Sequence, residues 1–194
     1  MKTAFIFPGQ GSQKVGMGRD VYKNTEIGKS YLNKADEIME YDLSSIIFNG
    51  PENKLKETRF TQPALFTVSV ILGRLLVDRG SKPDFVAGHS LGEFSALTIA
   101  NSFDFETGLK LVQCRANAMY EAGKTLPGTM GAVIGLSPEK VQSICDDITK
   151  NGSVVSPANF NAPGQVVISG DIDAVQLCMN NAKECGAKMT VELN

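Results

Sequence analysis

One serine in this chain sits where its chemistry could be used. In the stretch DFVAGHSLGEFSAL (84–97), Ser90 stands between Gly88 and Gly92, with an apolar run before it and helix-forming residues after it. The pattern G-x-S-x-G marks a sharp strand-to-helix turn, in which only glycine leaves room on either side and the hydroxyl projects at a helix N-terminus. Free N–H groups and the helix dipole there favour developing negative charge. The alternative reading of Ser90 is a serine that merely caps a helix. A serine hydroxyl is a weak nucleophile until a base takes its proton. The sole histidine of the chain is His89, and adjacent side chains on a tight turn point apart. His89 is therefore expected to pack beside the site rather than to act as the base.

Acyl chemistry at Ser90 would need two oxyanion donors, one from the residue after the nucleophile and one from a neighbouring loop. The first is the Leu91 N–H. The second is sought in FPGQGSQ (7–13), where Gln10 lies between two glycines. A dinucleotide-binding reading of that loop fails because Lys14 occupies the place of the third glycine. Arg115 rides at the edge of the stripe Leu109, Val112, Ala116 and Met119, and a charge there needs a reason. Either its head reaches solvent or a carboxylate such as Glu93, or its fork clamps a substrate carboxylate.

The elements that must position these residues can be read from pattern. KTAFIF (2–7) is a strand that stops at Pro8-Gly9. Helices are expected over roughly 16–24, 25–40 and 43–57, the second with Ile27, Tyr31, Ala35 and Ile38 at helical spacing. A long apolar helix should open with Thr61 as N-cap and Pro63 in its first turn, and end near Gly80. Its apolar stretch 64–77, interrupted by Gly73 and Arg74, reads as a buried helix too short to span a membrane. DFVAG (84–88) reads as a buried strand, followed by helices over 91–100 and about 104–121. These elements give an α/β domain over 1–123 with a parallel sheet. Residues 124–194 then follow the order βαββαβ, a ferredoxin-like unit, with Ser137 capping its first helix and NAPG (161–164) turning its hairpin.

Composition bounds the rest. The 194 residues are 42% hydrophobic and 21% charged with a net charge of −2, so no overall field favours nucleic acid or an anionic membrane. The four cysteines, Cys114, Cys145, Cys178 and Cys185, form no C-x-x-C pair, and one histidine leaves no zinc set. They are expected to be buried or partly buried free thiols in a reducing compartment. The N-terminus is too short in its apolar part to be a signal peptide, and a cytoplasmic protein is expected.

FPGQGSQ, TQPALF, GHSLGE, Arg115 and ANFNAPGQVVISG, in this order, resemble the malonyl-CoA:acyl-carrier-protein transacylases of fatty acid and polyketide synthesis. The resemblance covers the whole chain. It implies an α/β-hydrolase-like core, incomplete here, with an inserted ferredoxin-like subdomain. It also implies that Ser90 takes the malonyl group from malonyl-CoA and passes it to acyl carrier protein, while Gln10 and Leu91 hold the oxyanion and Arg115 binds the malonyl carboxylate. His89, Gln62, Met119, Asn161 and Gln165 match positions near the substrate channel. No metal or other cofactor is implied, and a monomer is expected. In the family a catalytic histidine follows the ferredoxin-like insert, so the resemblance makes the 194 residues a truncated form ending before that base. Two other functions remain at this stage: a serine esterase or thioesterase, and an inactive fragment that binds CoA thioesters or carrier protein without turnover.

Overall fold

A computed structural model describes residues 2–150 and 152–193. The chain divides into two compact units, residues 1–121 and 122–194.

In the first unit, β1 (Ala4–Phe7) and β2 (Phe85–Gly88) pair in parallel, with Phe7 opposite Gly88. Both strands therefore deliver their carboxyl ends to the same place, the edge at which parallel α/β sheets hold their functional loops. Phe5 and Phe7 point into the core, while Ile6 on the other face is 77% exposed. The expected buried strand over 84–88 is a correction: Phe85 is 58% exposed, because among the described residues β1 and β2 have helices packed on one face only. Four short helices follow β1: α1 (Arg19–Asn24), α2 (Glu26–Met39), α3 (Leu43–Asn49) and α4 (Glu52–Lys56). The single helix expected over 43–57 is thus two. Pro51 has no N–H to continue the ladder and disfavours helical geometry at Gly50, which sits at φ 75°. Along α2 the buried line is Leu32, Ala35 and Met39, with Ile27, Tyr31 and Ile38 at its margin, so the inward face lies one residue later than the spacing suggested.

The core is built around α5 (Thr58–Asp78), whose Ala64, Phe66 and Val70 are fully buried. Phe66 stacks on Phe105 at 5.6 Å, and Leu32, Leu109 and Val112 close around it. Burying each such side chain contributes about 1.5–3 kcal/mol. By length and composition α5 could cross a membrane, contrary to the expectation, but 72% of its most apolar window is buried inside the first unit. Its start is also corrected. Thr61 does not cap: its hydroxyl donates to the Leu55 carbonyl from inside the helix, and Glu57 holds the N-cap position without a side-chain capping bond, its carboxylate accepting from Arg59 instead. Pro63 is consequently interior rather than in the first turn. After β2 come α6 (Gly92–Ile99) and α7 (Phe105–Thr125), and the division between the units falls within the last turns of α7.

The second unit runs β3 (Gly128–Ile134), α8 (Pro138–Thr149), β4 (Val155–Ala162), β5 (Gln165–Asp171), α9 (Ile172–Glu184) and β6 (Met189–Leu193). Its sheet has the order β4-β5-β3-β6, and each pairing is antiparallel. Ser137 caps α8 as expected, accepting from the Lys140 N–H. The core of this unit lies between the two helices and the sheet, with Val141, Ile144, Val166, Ile168 and Val175 within it.

Candidate active site

Ser90 stands at φ 52°, in the left-handed region, two residues after the end of β2 and two before the start of α6. A non-glycine residue there is uncommon and costs on the order of 1–3 kcal/mol unless its surroundings enforce it. The surroundings are closely packed. A Cβ on Gly88 would lie 1.9 Å from the Gly92 carbonyl carbon, and one on Gly92 would lie 2.2 Å from the Phe7 oxygen. The two glycines therefore let β2, α6 and the end of β1 meet at backbone contact. Gly88→Ala is expected to destabilise the first unit by about 3 kcal/mol or more, since the obstructing atoms are backbone and cannot step aside. A denaturation midpoint unchanged from the parent would contradict this account of the turn.

The first turn of α6 is tight: Gly92, Glu93 and Phe94 donate to the carbonyls of His89, Ser90 and Leu91. Among the described residues the Leu91 N–H has no hydrogen-bond partner, although the Leu91 side chain is buried. The same is true of the Gln10 N–H, while the next amide, Gly11, is satisfied by the Gln13 side chain at 2.8 Å. His89 is held against the same loop. Its N–H donates to the Phe7 carbonyl at 3.0 Å, and its Nδ1 lies 2.7 Å from where a Gly9 Cβ would stand.

Around Ser90 the side chains form a relay of hydrogen bonds. Arg115, half-buried on α7, donates from Nη2 to Ser90 Oγ at 3.0 Å and from Nη1 to Gln62 Oε1 at 2.6 Å. Gln62 is 1% exposed on α5, and its Nε2 donates to Met119 Sδ at 3.3 Å and faces Gln10 Oε1 at 3.5 Å. Gln10 in turn donates from Nε2 to Thr58 Oγ1 at 3.2 Å. The sequence expectation for Arg115 allowed a carboxylate partner such as Glu93, but its partners among the described residues are the neutral Gln62 and Ser90. Burial pushes its pKa down from the ordinary value, yet a guanidinium stays charged at any physiological pH. The result is a positive charge on the serine hydroxyl with no anion to match it.

Of the residues singled out from sequence, the structure brings together Ser90, Leu91, His89, Gln10, Gln62, Arg115 and Met119. Met119 is 46% exposed, because the apolar stripe of α7 leaves the core after Ala116. Asn161 and Gln165 lie in the second unit, at the two ends of the β4–β5 turn. Sequence reasoning missed Thr58. The local signal for it was its place one helical turn before Gln62 on α5, whereas the Gln10 side chain it touches is 48 positions away. A cavity of about 450 Å³ beside β1 and α5 is lined by Ile6, Met17, Leu65, Leu72 and Leu76. It includes neither Ser90 nor Arg115, so the polar relay and this apolar hollow are separate features.

Strand, left-handed serine and helix, with an arginine on the hydroxyl, define an α/β protein of the elbow-serine class. Within that class the chain belongs to the acyl transferase domain family, whose model matches residues 4–194. It is 43% identical over 192 residues to the malonyl CoA-acyl carrier protein transacylase of Bacillus subtilis, covering 99% of this chain and 61% of that relative. The solved structure of the corresponding transacylase of Coxiella burnetii has a TM-score of 0.93 at 42% identity, over 100% of this chain and 61% of that one. A type II PKS acyl-carrier protein in complex with its malonyl-transacylase also matches, with a TM-score of 0.92 and 38% identity over 100% of this chain and 62% of that one. The chain thus spans about three-fifths of the length of the relatives it matches.

Proposed function

We propose that the protein transfers a malonyl group from malonyl-CoA to the phosphopantetheine thiol of acyl carrier protein through a malonyl-serine at Ser90. The observation that carries this is the Arg115 guanidinium on Ser90, charged and without a carboxylate of its own. A malonyl thioester brings the missing carboxylate, and its reacting carbonyl is one carbon removed from it. Among the described residues the Ser90 hydroxyl is hydrogen-bonded to Arg115, which is no base. In the forward half-reaction, once a base takes the Ser90 proton, Oγ attacks the thioester carbonyl, and the oxyanion accepts from the unpaired N–H groups of Gln10 and Leu91. The C–S bond then breaks and CoA leaves. In the second half-reaction the carrier-protein thiol attacks the malonyl ester by the same route, returning Ser90 as its hydroxyl. No cofactor takes part.

The relay gives each neighbour a task. Gln62 orients Arg115 without neutralising it, because an amide oxygen accepts but carries no charge. Its other end holds the Gln10 side chain, so the carboxylate clamp and the oxyanion loop are set by one buried residue. Met119 lines the approach; Asn161 and Gln165, matched by resemblance, are assigned to the substrate channel, and His89 packs beside it. We place an α/β-hydrolase-like core over residues 1–123 and a ferredoxin-like subdomain over 124–194, on the strength of the strand orders and the solved relatives. The protein is proposed to work as a cytoplasmic monomer, without nucleic acid or membrane.

The test is intact mass after incubation with malonyl-CoA, followed by addition of acyl carrier protein. One malonyl group on Ser90, then its passage to the carrier, is the expected course. Release of free malonate without carrier would support a thioesterase instead, and binding without any adduct would support a non-catalytic role. A subtler effect concerns Thr58. Thr58→Ala removes a neutral hydrogen bond from the Gln10 loop, worth about 1 kcal/mol, so kcat should fall roughly fivefold with KM little changed. A change in KM alone would mean that Thr58 helps to bind substrate rather than to place the oxyanion donor.

A further inference from the structure

The second unit holds two sulfurs that acyl transfer leaves unused. Cys145 lies midway along α8 and Cys178 midway along α9; both are fully buried, and their Sγ atoms are 3.6 Å apart. The two helices pack on one face of the four-stranded sheet, and the thiols sit among Val141, Ile144, Val175 and Ala182. Cys114 and Cys185 are exposed, so the expectation that all four thiols are at least partly buried fails for these two. A chain with two accessible thiols and two hidden ones in mutual contact offers an oxidant two distinct kinds of target.

We infer that Cys145 and Cys178 are a disulfide-forming pair that low-molecular-weight disulfides oxidise, linking α8 to α9. Sulfurs at 3.6 Å are in van der Waals contact, and a disulfide needs about 2.05 Å, so the bond asks for a contraction of roughly 1.5 Å. Rotation about the two Cα–Cβ bonds is the motion that brings such sulfurs together. The hydrogen bond between the thiols can run in either direction. Donation from Cys145 favours the thiolate of Cys178 and pulls its pKa down, whereas that hydrogen bond and burial push the Cys145 thiol up. The contact is symmetric and either sulfur can attack; in the route with Cys178 attacking, Cys145 is the resolving sulfur.

The chemistry balances with a small disulfide RSSR as oxidant. When α9 opens locally, the Cys178 thiolate attacks one sulfur of RSSR, forming a mixed disulfide and releasing one RS⁻, which takes up a proton. The Cys145 thiol gives its proton to solvent, and its sulfur attacks the Cys178 sulfur and expels the second RS⁻. Two protein thiols and one RSSR become one protein disulfide and two RSH. Opening is slow because both sulfurs are buried, but the second step is fast because its partner is in contact. The mixed disulfide at Cys178 should not accumulate. This assignment stands whether or not the acyl-transfer reading does, since it uses no residue of that site.

The experiment treats the folded protein with oxidised glutathione, quenches it by alkylation in denaturant, and maps the peptides by mass. The expected product is a Cys145–Cys178 cross-link, lighter by two hydrogens and reversed by dithiothreitol, while Cys114 and Cys185 carry glutathione. The same treatment in denaturant provides the comparison. The cross-link should form at least about tenfold more selectively in the native protein, because only there do the two sulfurs touch. Recovery of Cys145 and Cys178 as alkylated thiols after the exposed pair has been consumed would overturn the proposal. So would stable glutathione on either of them, since it would show that the resolving sulfur cannot reach.

Discussion

On the proposed reading, Arg115→Ala is expected to reduce malonyl transfer by roughly 10²- to 10⁴-fold while leaving transfer of acetyl and other neutral acyl groups nearly untouched. The size follows from what is lost. A bidentate clamp on a carboxylate makes two charge-assisted hydrogen bonds, each worth about 1.5–3 kcal/mol, and tenfold in rate corresponds to about 1.4 kcal/mol. The selectivity follows from the neighbours. Gln62 and Ser90 are neutral, so the full positive charge is available to the substrate and there is no internal salt bridge to break first. Arg115→Lys should recover little, because one ammonium cannot hold Gln62 and two carboxylate oxygens in the planar arrangement that a guanidinium allows. The decisive measurement is the ratio of kcat/KM for malonyl-CoA to that for acetyl-CoA. If both rates fall together, Arg115 acts on Ser90 or on the fold rather than on the carboxylate.

Ser90→Ala should have the largest effect of all. Where nucleophile and base are both in place, removal of the serine costs on the order of 10⁶ in kcat, leaving only what oxyanion donors and binding supply. The malonyl adduct expected on Ser90 should be absent from the intact mass, whereas malonyl-CoA should still bind through Arg115. Binding should be as tight as in the parent or tighter, because Arg115 Nη2 loses its hydrogen bond to Ser90 Oγ and becomes free for the substrate. Persistence of the adduct on another side chain would remove Ser90 from the mechanism.

Much of this arrangement was legible in the residues themselves, and the reasons are local. The turn at Ser90 is written in two glycines four positions apart, and its left-handed backbone follows from their spacing. The second unit was readable because each of its elements ends at a nearby glycine or turn and its helix α8 begins on a serine cap. The errors arose where a residue suited to one local role was claimed for another. Thr61 has the chemistry of an N-cap, but its hydroxyl found the Leu55 carbonyl inside a helix that had already begun at Thr58. Gly50-Pro51 broke a segment whose apolar spacing looked continuous. The apolar residues of β2 suggested burial, yet burial depends on what covers a strand and not on its composition. The relay from Thr58 through Gln10 and Gln62 to Arg115 joins three separate segments, α5, the Gln10 loop and α7, and beyond the i,i+4 spacing of Thr58 and Gln62 on α5 nothing along the chain encodes it.

The φ of 52° at Ser90 also decides which nucleophiles the position could ever hold. A β-branched side chain in the left-handed region is a genuine outlier, so threonine is shut out although it carries the same hydroxyl. Cysteine, unbranched at Cβ, meets no such barrier and would place a sulfur where the oxygen now stands. The range of acyl esters and thioesters open to this site is therefore filtered by backbone conformation before any question of reactivity arises.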